Sequence, residues 1–497
     1  MKKMMTLGLF LALSLPLPAQ TILQTTVGED QLLEAGEGLQ SNAIVEIKTI
    51  GSILLLGTSK GLSISEDLGR SWRLITHEDG IGRGSVTAIA ARATETDTVI
   101  WVATSHDTVV AEGTLNAGGG LAVSKDMGRT WQFSPQPGPT PVQNITFDIA
   151  LHDDGSTWIT SFGGGTRRTF DDGLTWEVVT PDTFLFDAFC NLNHRSFSTI
   201  SANGVLWVGT AGAVNKSTDD GETWTNFTHQ NQDNPISGNF VVALGSQQFR
   251  GREYIWAATI QVTDTQLAGC TEFPFPGSED QFRAVSVSDD GGYSWYTSLE
   301  GVFPHNFAFD DSIAYAATDK GLFKSIDFGR TWARYPEIYD SEQDIRYLSE
   351  DVFTVAVTPD RALWVGGPDG LAVTRDDGRT WKIIRGSRRP GQEGEKRTYA
   401  YPSPFSPARH NLSGGDGFIR FQYDTRTDTR VTVRVYDFAM DLVAEVVTGK
   451  PRTAGGSYFE LWNGRNDRGE VVANGVYFYS VELEGDAVLW GKFMVMN

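Results

Sequence analysis

Ionisable side chains gather in three long inserted stretches of this sequence that read as loops, His106–Gly120, Pro181–Arg195 and Ile260–Gln281. His106, Asp107 and Glu112 fall in the first, and Asp187, His194 and Arg195 in the second. Asp264, Glu272, Glu279 and Asp280 fall in the third. Two carboxylates at a fixed separation can hydrolyse a glycosidic bond, one as acid and the other as base or nucleophile. That chemistry makes Asp107, Glu112, Asp187 and Glu272 the candidate catalytic groups. His106, His194, Arg195 and Phe273 are the candidate ligand contacts. Phe184, Phe186, Phe189 and Phe275 extend the aromatic set and could form a platform for a ligand. The alternative is that these groups shape their own loops. With 62 acidic residues in the chain, carboxylates are expected in every loop, and the phenyl rings can pack the insertions on themselves.

The two cysteines, Cys190 and Cys270, lie in the second and third stretches. A disulfide between them is the expected pairing, and two separate buried thiols are the alternative. Closing that loop would contribute about 3–5 kcal/mol in the chain-entropy account. Their spacing matches no metal pattern. The sequence also lacks a Gly-rich phosphate loop, a His-Glu-x-x-His pair and a Gly-x-Ser-x-Gly elbow, so neither metal nor cofactor is implied. A net charge of −21 repels phosphate backbones and anionic lipid, which argues against nucleic acid and membrane surfaces as partners.

The elements that must position these stretches are set by a repeat. One octet, Ser/Thr-x-Asp-x-Gly-x-Ser/Thr-Trp, begins at Ser65, Ser124, Thr169, Ser217, Ser288, Ser325 and Thr374. Its chemistry is that of a turn. The Asp accepts bonds from nearby amides, the Gly takes a positive φ, and the Trp opens the next strand and plugs the gap between neighbouring sheets. Before each octet stand an apolar strand, a Gly turn and a short alternating strand, as in Ile53–Thr58, Gly61 and Leu62–Ser65. With one earlier strand, each unit has four strands in ~50 residues, which is a propeller blade. The expected fold is an all-β, seven-bladed β-propeller over residues 20–385. Thr21–Thr26 is a candidate strand for closing the ring. The three inserted stretches should all lie on the face opposite the octets, where a rigid scaffold carries variable loops.

These octets resemble the Asp-box (BNR) repeats of the sialidase, sortilin and xyloglucanase propellers, over roughly residues 40 to 385. The resemblance implies that the boxes sit at the rim, on the hairpin between third and fourth strands, away from any active centre. Sialidases also use an Arg-x-Pro motif near the first blade, an arginine triad and a tyrosine nucleophile. Here no Arg precedes Arg70, and Arg388-Arg389-Pro390 lies after the seventh octet, so sialidase activity is not expected. Xyloglucanase-like enzymes pair two propellers around a cleft, whereas this chain has one.

Residues 386–398 read as a charged, Gly-rich linker, and 399–497 alternate with period two through about seven short strands, an immunoglobulin-like sandwich. This segment resembles the C-terminal sorting domains of type IX secretion cargo and the immunoglobulin-like module of flagellar hook-capping proteins. The shared pieces are Tyr401-Pro402-Ser403-Pro404-Phe405, Val435-Tyr436-Asp437, Trp462 to Gly469, Gly475 to Tyr479 and Gly491 to Met496. Phe438 to Asp441 stand where that family has a Gly. At the other end, Lys2, Lys3 and the apolar run Thr6–Leu15 read as an export signal spanning residues 1–19. The expected protein is therefore secreted or held at the cell surface after periplasmic transit. It is expected to be a monomer that binds a protein or glycan and to be sorted by secretion machinery acting on its tail. The alternatives are a secreted glycoside hydrolase or lyase with its site on the long-loop face, and a structural envelope component.

Overall fold

A computed structural model describes residues 39, 41–94, 98–111, 113–261, 280–386, 396–407 and 417–496. The chain is nearly all β, with two single-turn 3-10 segments at His77–Asp79 and Leu192–His194. Among the described residues no helix is long and apolar enough to cross a membrane. One compact unit carries the strands from Ile44 to Ile384, and a second carries those from Thr398 to Val495.

The first unit holds seven four-stranded antiparallel sheets, each an up-and-down meander in chain order. They span Ile44–Ile75, Ser85–Ser134, Thr146–Val179, Ser196–Phe227, Phe240–Ser298, Pro304–Arg334 and Thr354–Ile384. A small hairpin, Tyr339–Asp340 with Ile345–Arg346, lies between the sixth and seventh sheets. The expectation of a loop over His106–Gly120 is corrected. The second strand of that sheet runs on from Thr98 to Val110 and pairs with Gly113–Ser124, past a bulge at Thr104/Ser105. The β-branched residues Thr108, Val109, Val110 and Thr114 favour an extended arm over a coil. Candidate strand Thr21–Thr26 lies outside the described residues.

Each octet closes by the same bonds. In the first, Asp67 Oδ1 accepts from the Ser65 hydroxyl (2.8 Å) and the Arg70 and Ser71 amides (3.0 and 2.9 Å), and Oδ2 from the Ser71 hydroxyl (2.6 Å). Ser65 Oγ in turn accepts the Gly69 N–H at 2.8 Å. These donors, led by the Ser71 hydroxyl and amide, hold the Asp67 carboxyl down to about 2. The same lowering acts on Asp126, Asp171, Asp219, Asp290, Asp327 and Asp376. The fourth residue of the octet is left-handed as well as the Gly, for example Leu68 at φ 59° and Met127 at φ 60°.

The octet also explains how neighbouring sheets meet. A Cβ on Gly173 or Gly221 would run into Trp101 or Trp158 of the preceding sheet. The octet Trp rings make edge contacts with the same partners, Trp176 with Trp101 at 5.9 Å and Trp224 with Trp158 at 6.3 Å. Gly69 of the first sheet meets Trp364 of the seventh in the same way. Ile44, Leu54, Leu56 and Trp72 share an apolar cluster with Ala356, Trp364 and Leu371.

A second set of bonds joins the leading strands. Six of these seven strands carry a β-bulge, and the residue after it faces the next sheet. Glu46 accepts the Ile89 N–H (2.6 Å), Asp148 that of Thr199 (2.9 Å) and Ser198 that of Leu244 (3.0 Å). Asn306 accepts the Val355 N–H (3.1 Å), and Thr354 that of Ile47 (3.0 Å). Where the post-bulge residue is Ala88 or Ala243, a neighbour donates to a carbonyl instead. Thr87 Oγ1 bonds Thr146 O (2.6 Å), and Gln247 Nε2 bonds Asp311 O (2.8 Å). Every junction from first to seventh and back to first thus carries a side chain bonded to main chain.

The second unit packs a three-stranded sheet (Thr398–Tyr401, Ile419–Asp424, Ser457–Trp462) and a four-stranded sheet around one core. The latter is ordered Leu442–Arg452, Thr429–Tyr436, Gly475–Leu483, Val488–Val495. Phe405, Phe421, Trp462, Tyr479 and Phe493 fill the space between them. Arg452 bonds Glu460 at 2.7 Å inside this unit, and the Tyr423 hydroxyl completes the carboxylate at 2.8 Å.

Gly69, an octet glycine, and Gly155, in the turn between the first two strands of the third sheet, separate the cost of positive φ from that of the ring contact. Both have positive φ, but a Cβ at Gly69 falls 2.9 Å from the Trp364 ring and one at Gly155 meets nothing within 4 Å. Gly155→Ala should cost about 1–2 kcal/mol for its backbone alone, and Gly69→Ala about 2–5 kcal/mol with the added overpacking. Urea unfolding midpoints of the two variants will show this gap, and equal costs would mean that the Trp364 contact carries no weight.

Candidate functional site

Antiparallel pairing puts the octets at one end of every sheet, beside the hairpin joining first and second strands. The turn joining second and third strands, such as Thr58–Gly61, and the sheet-to-sheet connections lie at the other end. The segment 181–195, which leads from the third sheet to the fourth, runs at this second end and is the best-described part of the candidate region.

His194 is the buried centre of that segment, with its side chain 0% exposed. Its Nδ1 accepts the Asp187 N–H at 2.9 Å, so the ring proton sits on Nε2 and is donated to Asp182 Oδ1 at 2.9 Å. Asn191 Nδ2 donates to the other Asp182 oxygen at 2.9 Å. Burial works against the Asp182 charge, but the His194 ring and the Phe184 amide outweigh it and hold the carboxyl below its usual range. Asp187 Oδ1 accepts the Phe189 and Cys190 N–H groups at 2.9 and 3.0 Å, an Asx-type turn. Arg195 donates to the Ala188 carbonyl (2.6 Å) and the Phe189 carbonyl (2.5 Å) and lies over Phe162. Burial pushes its guanidinium down to about 10, against the pull of Asp187. Phe186 stacks on His194 with centroids 5.7 Å apart.

The structure therefore brings Asp187, His194 and Arg195 together, and each holds the loop in shape. Asp107 is exposed on the hairpin arm of the second sheet, and His106 is half-buried beside it. Glu112, Glu272, Phe273 and Cys270 lie outside the described residues. Cys190 is disulfide-bonded, and no described cysteine is free.

Three polar groups escaped the sequence reading. Glu46, Lys48 and Asp148 sit on the leading strands, where Lys48 Nζ lies 3.1 Å from Glu46 Oε1. Burial pushes the Glu46 carboxyl up to about 7, with Lys48 opposing and Asp148 adding to the rise. The sequence signal was there, as charges interrupting the apolar run Ile44-Val45-Glu46-Ile47-Lys48. His305, 6% exposed, donates or accepts at 2.8 Å with Asp351 between the edges of Phe303 and Phe353. At the octet end, His152 Nε2 and the Asp154 and Asp220 carboxylates lie within 4.8 Å of one another, a set able to hold a divalent cation. Both His152 nitrogens already have protein partners, Ser201 Oγ at 2.8 Å and Asp220 Oδ1 at 2.9 Å.

No family profile and no curated sequence matches the chain. Among solved structures it is similar to an ancestral GH74 enzyme, at 13% identity and a TM-score of 0.51 over 93% of this chain and 63% of that one. It is also similar to YCF48 from Cyanidioschyzon merolae (14% identity, TM-score 0.42, 67% of this chain and 96% of that one). PorZ, a surface component of the type-IX secretion system of Porphyromonas gingivalis, matches at 13% identity and TM-score 0.29, over 93% and 76% of the two chains. At these identities the likeness speaks for the fold alone, and that fold is a β-propeller.

Proposed function

We propose that this chain is an extracellular, non-catalytic, seven-bladed Asp-box β-propeller that binds a protein or glycan on the face opposite the octets. Residues 1–19 are its export signal, 20–385 the propeller, 386–398 a linker and 399–497 an immunoglobulin-like domain read by type IX-like secretion machinery. The observation that carries the binding reading is the state of segment 181–195. An acid–base pair must be free to exchange protons with a substrate. Here His194, Asp182, Asp187 and Arg195 spend their donors and acceptors on the loop itself. Such a loop is a rigid, shaped surface, suited to recognition.

The export reading is supported by the chemistry of Cys190, since disulfides persist in oxidising compartments. The proposed partner is Cys270, which would tie the segment after the third sheet to the insertion in the fifth. The immunoglobulin-like reading of the tail is supported by its two antiparallel sheets over a single aromatic core.

Three measurements test these readings. A glycan array run beside a panel of chromogenic glycosides should show binding without turnover, and hydrolysis of any member would replace the binding reading with a glycoside hydrolase. Deleting residues 399–497 should leave a folded propeller stranded in the periplasm, whereas normal export of the truncated chain would remove the sorting role. Intact-mass analysis after alkylation without reductant should find no free thiol, and one alkylated cysteine would break the Cys190–Cys270 pairing.

A further inference from the structure

Three octets carry a carboxylate as their left-handed fourth residue, Asp172, Asp220 and Asp377 at φ 57°, 56° and 61°. Each reaches a side chain of the sheet before it. Asp172 takes the Lys125 ammonium at 2.6 Å, and Asp377 takes the Lys324 ammonium on both oxygens at 2.7 Å. Asp220 forms no ion pair with a lysine or arginine among the described residues. Its Oδ1 lies 2.9 Å from His152 Nε2 instead, and a second carboxylate, Asp154, completes a set whose three ligand atoms lie within 4.8 Å of one another. The Arg168 guanidinium, on the same sheet as His152, is committed to Glu177 (2.9 Å), the Asp220 carbonyl (2.8 Å) and Glu222 (3.5 Å). Two carboxylates therefore share one place where the related octets put a cation.

We propose that His152, Asp154 and Asp220 form a site for a divalent first-row transition ion, with Zn²⁺ as its type. One imidazole and two carboxylates suit such an ion better than Ca²⁺, which takes oxygen ligands throughout. Two ligands bound at ~2.0–2.1 Å and at a right angle lie about 2.9 Å apart, and His152 Nε2 and Asp220 Oδ1 have that separation. Asp154 Oδ1 is occupied by the Ser156 N–H (2.8 Å) and hydroxyl (2.5 Å). Oδ2 of Asp154 and Oδ2 of Asp220 have no protein partner among the described residues. Both carboxylates are exposed, so they can rotate onto the ion, and water fills its remaining positions.

His152 is the fixed ligand, with its side chain 1% exposed and its Nδ1 2.8 Å from Ser201 Oγ on the fourth sheet. A ligating imidazole carries its proton on the other nitrogen and donates it to an oxygen. Binding therefore selects the tautomer in which Nδ1–H is donated to Ser201 and the Nε2 lone pair faces the carboxylates. His152 and Asp154 stand in the turn between the first two strands of the third sheet, and Asp220 in the octet of the fourth. The bound ion would clip these two sheets together at the octet end.

Calorimetric titration of the metal-stripped full chain with ZnCl₂ near neutral pH tests the site. Saturable binding is expected, with a thermal midpoint that rises as Zn²⁺ is added. Asp220→Asn keeps an acceptor oxygen for His152 and removes the charge, so its fold is preserved while its ligand is lost. This variant and Asp154→Asn should each weaken Zn²⁺ binding by roughly tenfold or more, and Asp220→Asn should lose the rise in thermal midpoint. Asp172→Asn, whose carboxylate faces Lys125, should bind Zn²⁺ as the unaltered chain does. No saturable Zn²⁺ binding, undiminished affinity in both Asp220→Asn and Asp154→Asn, or Ca²⁺ binding tighter than Zn²⁺ would overturn the proposal.

Discussion

A carboxylate that takes hydrogen bonds from two hydroxyls and nearby amides within five residues leaves the backbone one way to turn. Each octet uses that constraint. Asp67 and its six counterparts draw the chain into a left-handed pair of residues, and the turn then delivers a Trp to the flank of the sheet before it. Local electrostatics thereby sets a long-range contact. The hairpin cannot relax without withdrawing its own Trp, and the ring of the sheet before it, such as Trp364, Trp101 or Trp158, cannot shift without crowding a glycine that has no room for a methyl group. Repeated at each sheet, this coupling arranges the first unit, because a sheet placed against its predecessor has its own octet placed as well.

Much of this was legible in the sequence. The octets announced themselves by type and spacing, and their Asp, Gly and Trp act as turn chemistry requires. The left-handed fourth residue was not legible, because Leu68, Met127 and Phe328 carry no composition signal for positive φ. Their conformation is imposed by the bonds on either side. The arm over Thr98–Val110 was missed for a similar reason. His106 and Asp107 look like loop residues, and the alternation beyond them becomes a strand only because Gly113–Ser124 returns to pair with it.

The candidate site was read less well. Asp187, His194 and Arg195 do lie together, but their burial and their partners belong to three dimensions, and without those a loop staple and a catalytic group look alike in sequence. The reverse error hid Glu46 and Asp148. Both sit inside apolar strands, where a lone charge reads as surface alternation. Their role appears only when the post-bulge positions of different sheets are set side by side.

Those junctions share a property that reaches past this molecule. At each of these junctions one side chain grips an amide or a carbonyl, groups that every residue except proline supplies in full, and only the Asp148 junction adds a side-chain partner, the Ser198 hydroxyl. The receiving position is thus indifferent to which amino acid occupies it. Mutations on the two sides of a junction need not compensate one another, and each repeat can drift on its own. Correlated substitution between positions, often used to detect neighbours in space, would be weak wherever two sheets are joined through main chain in this way.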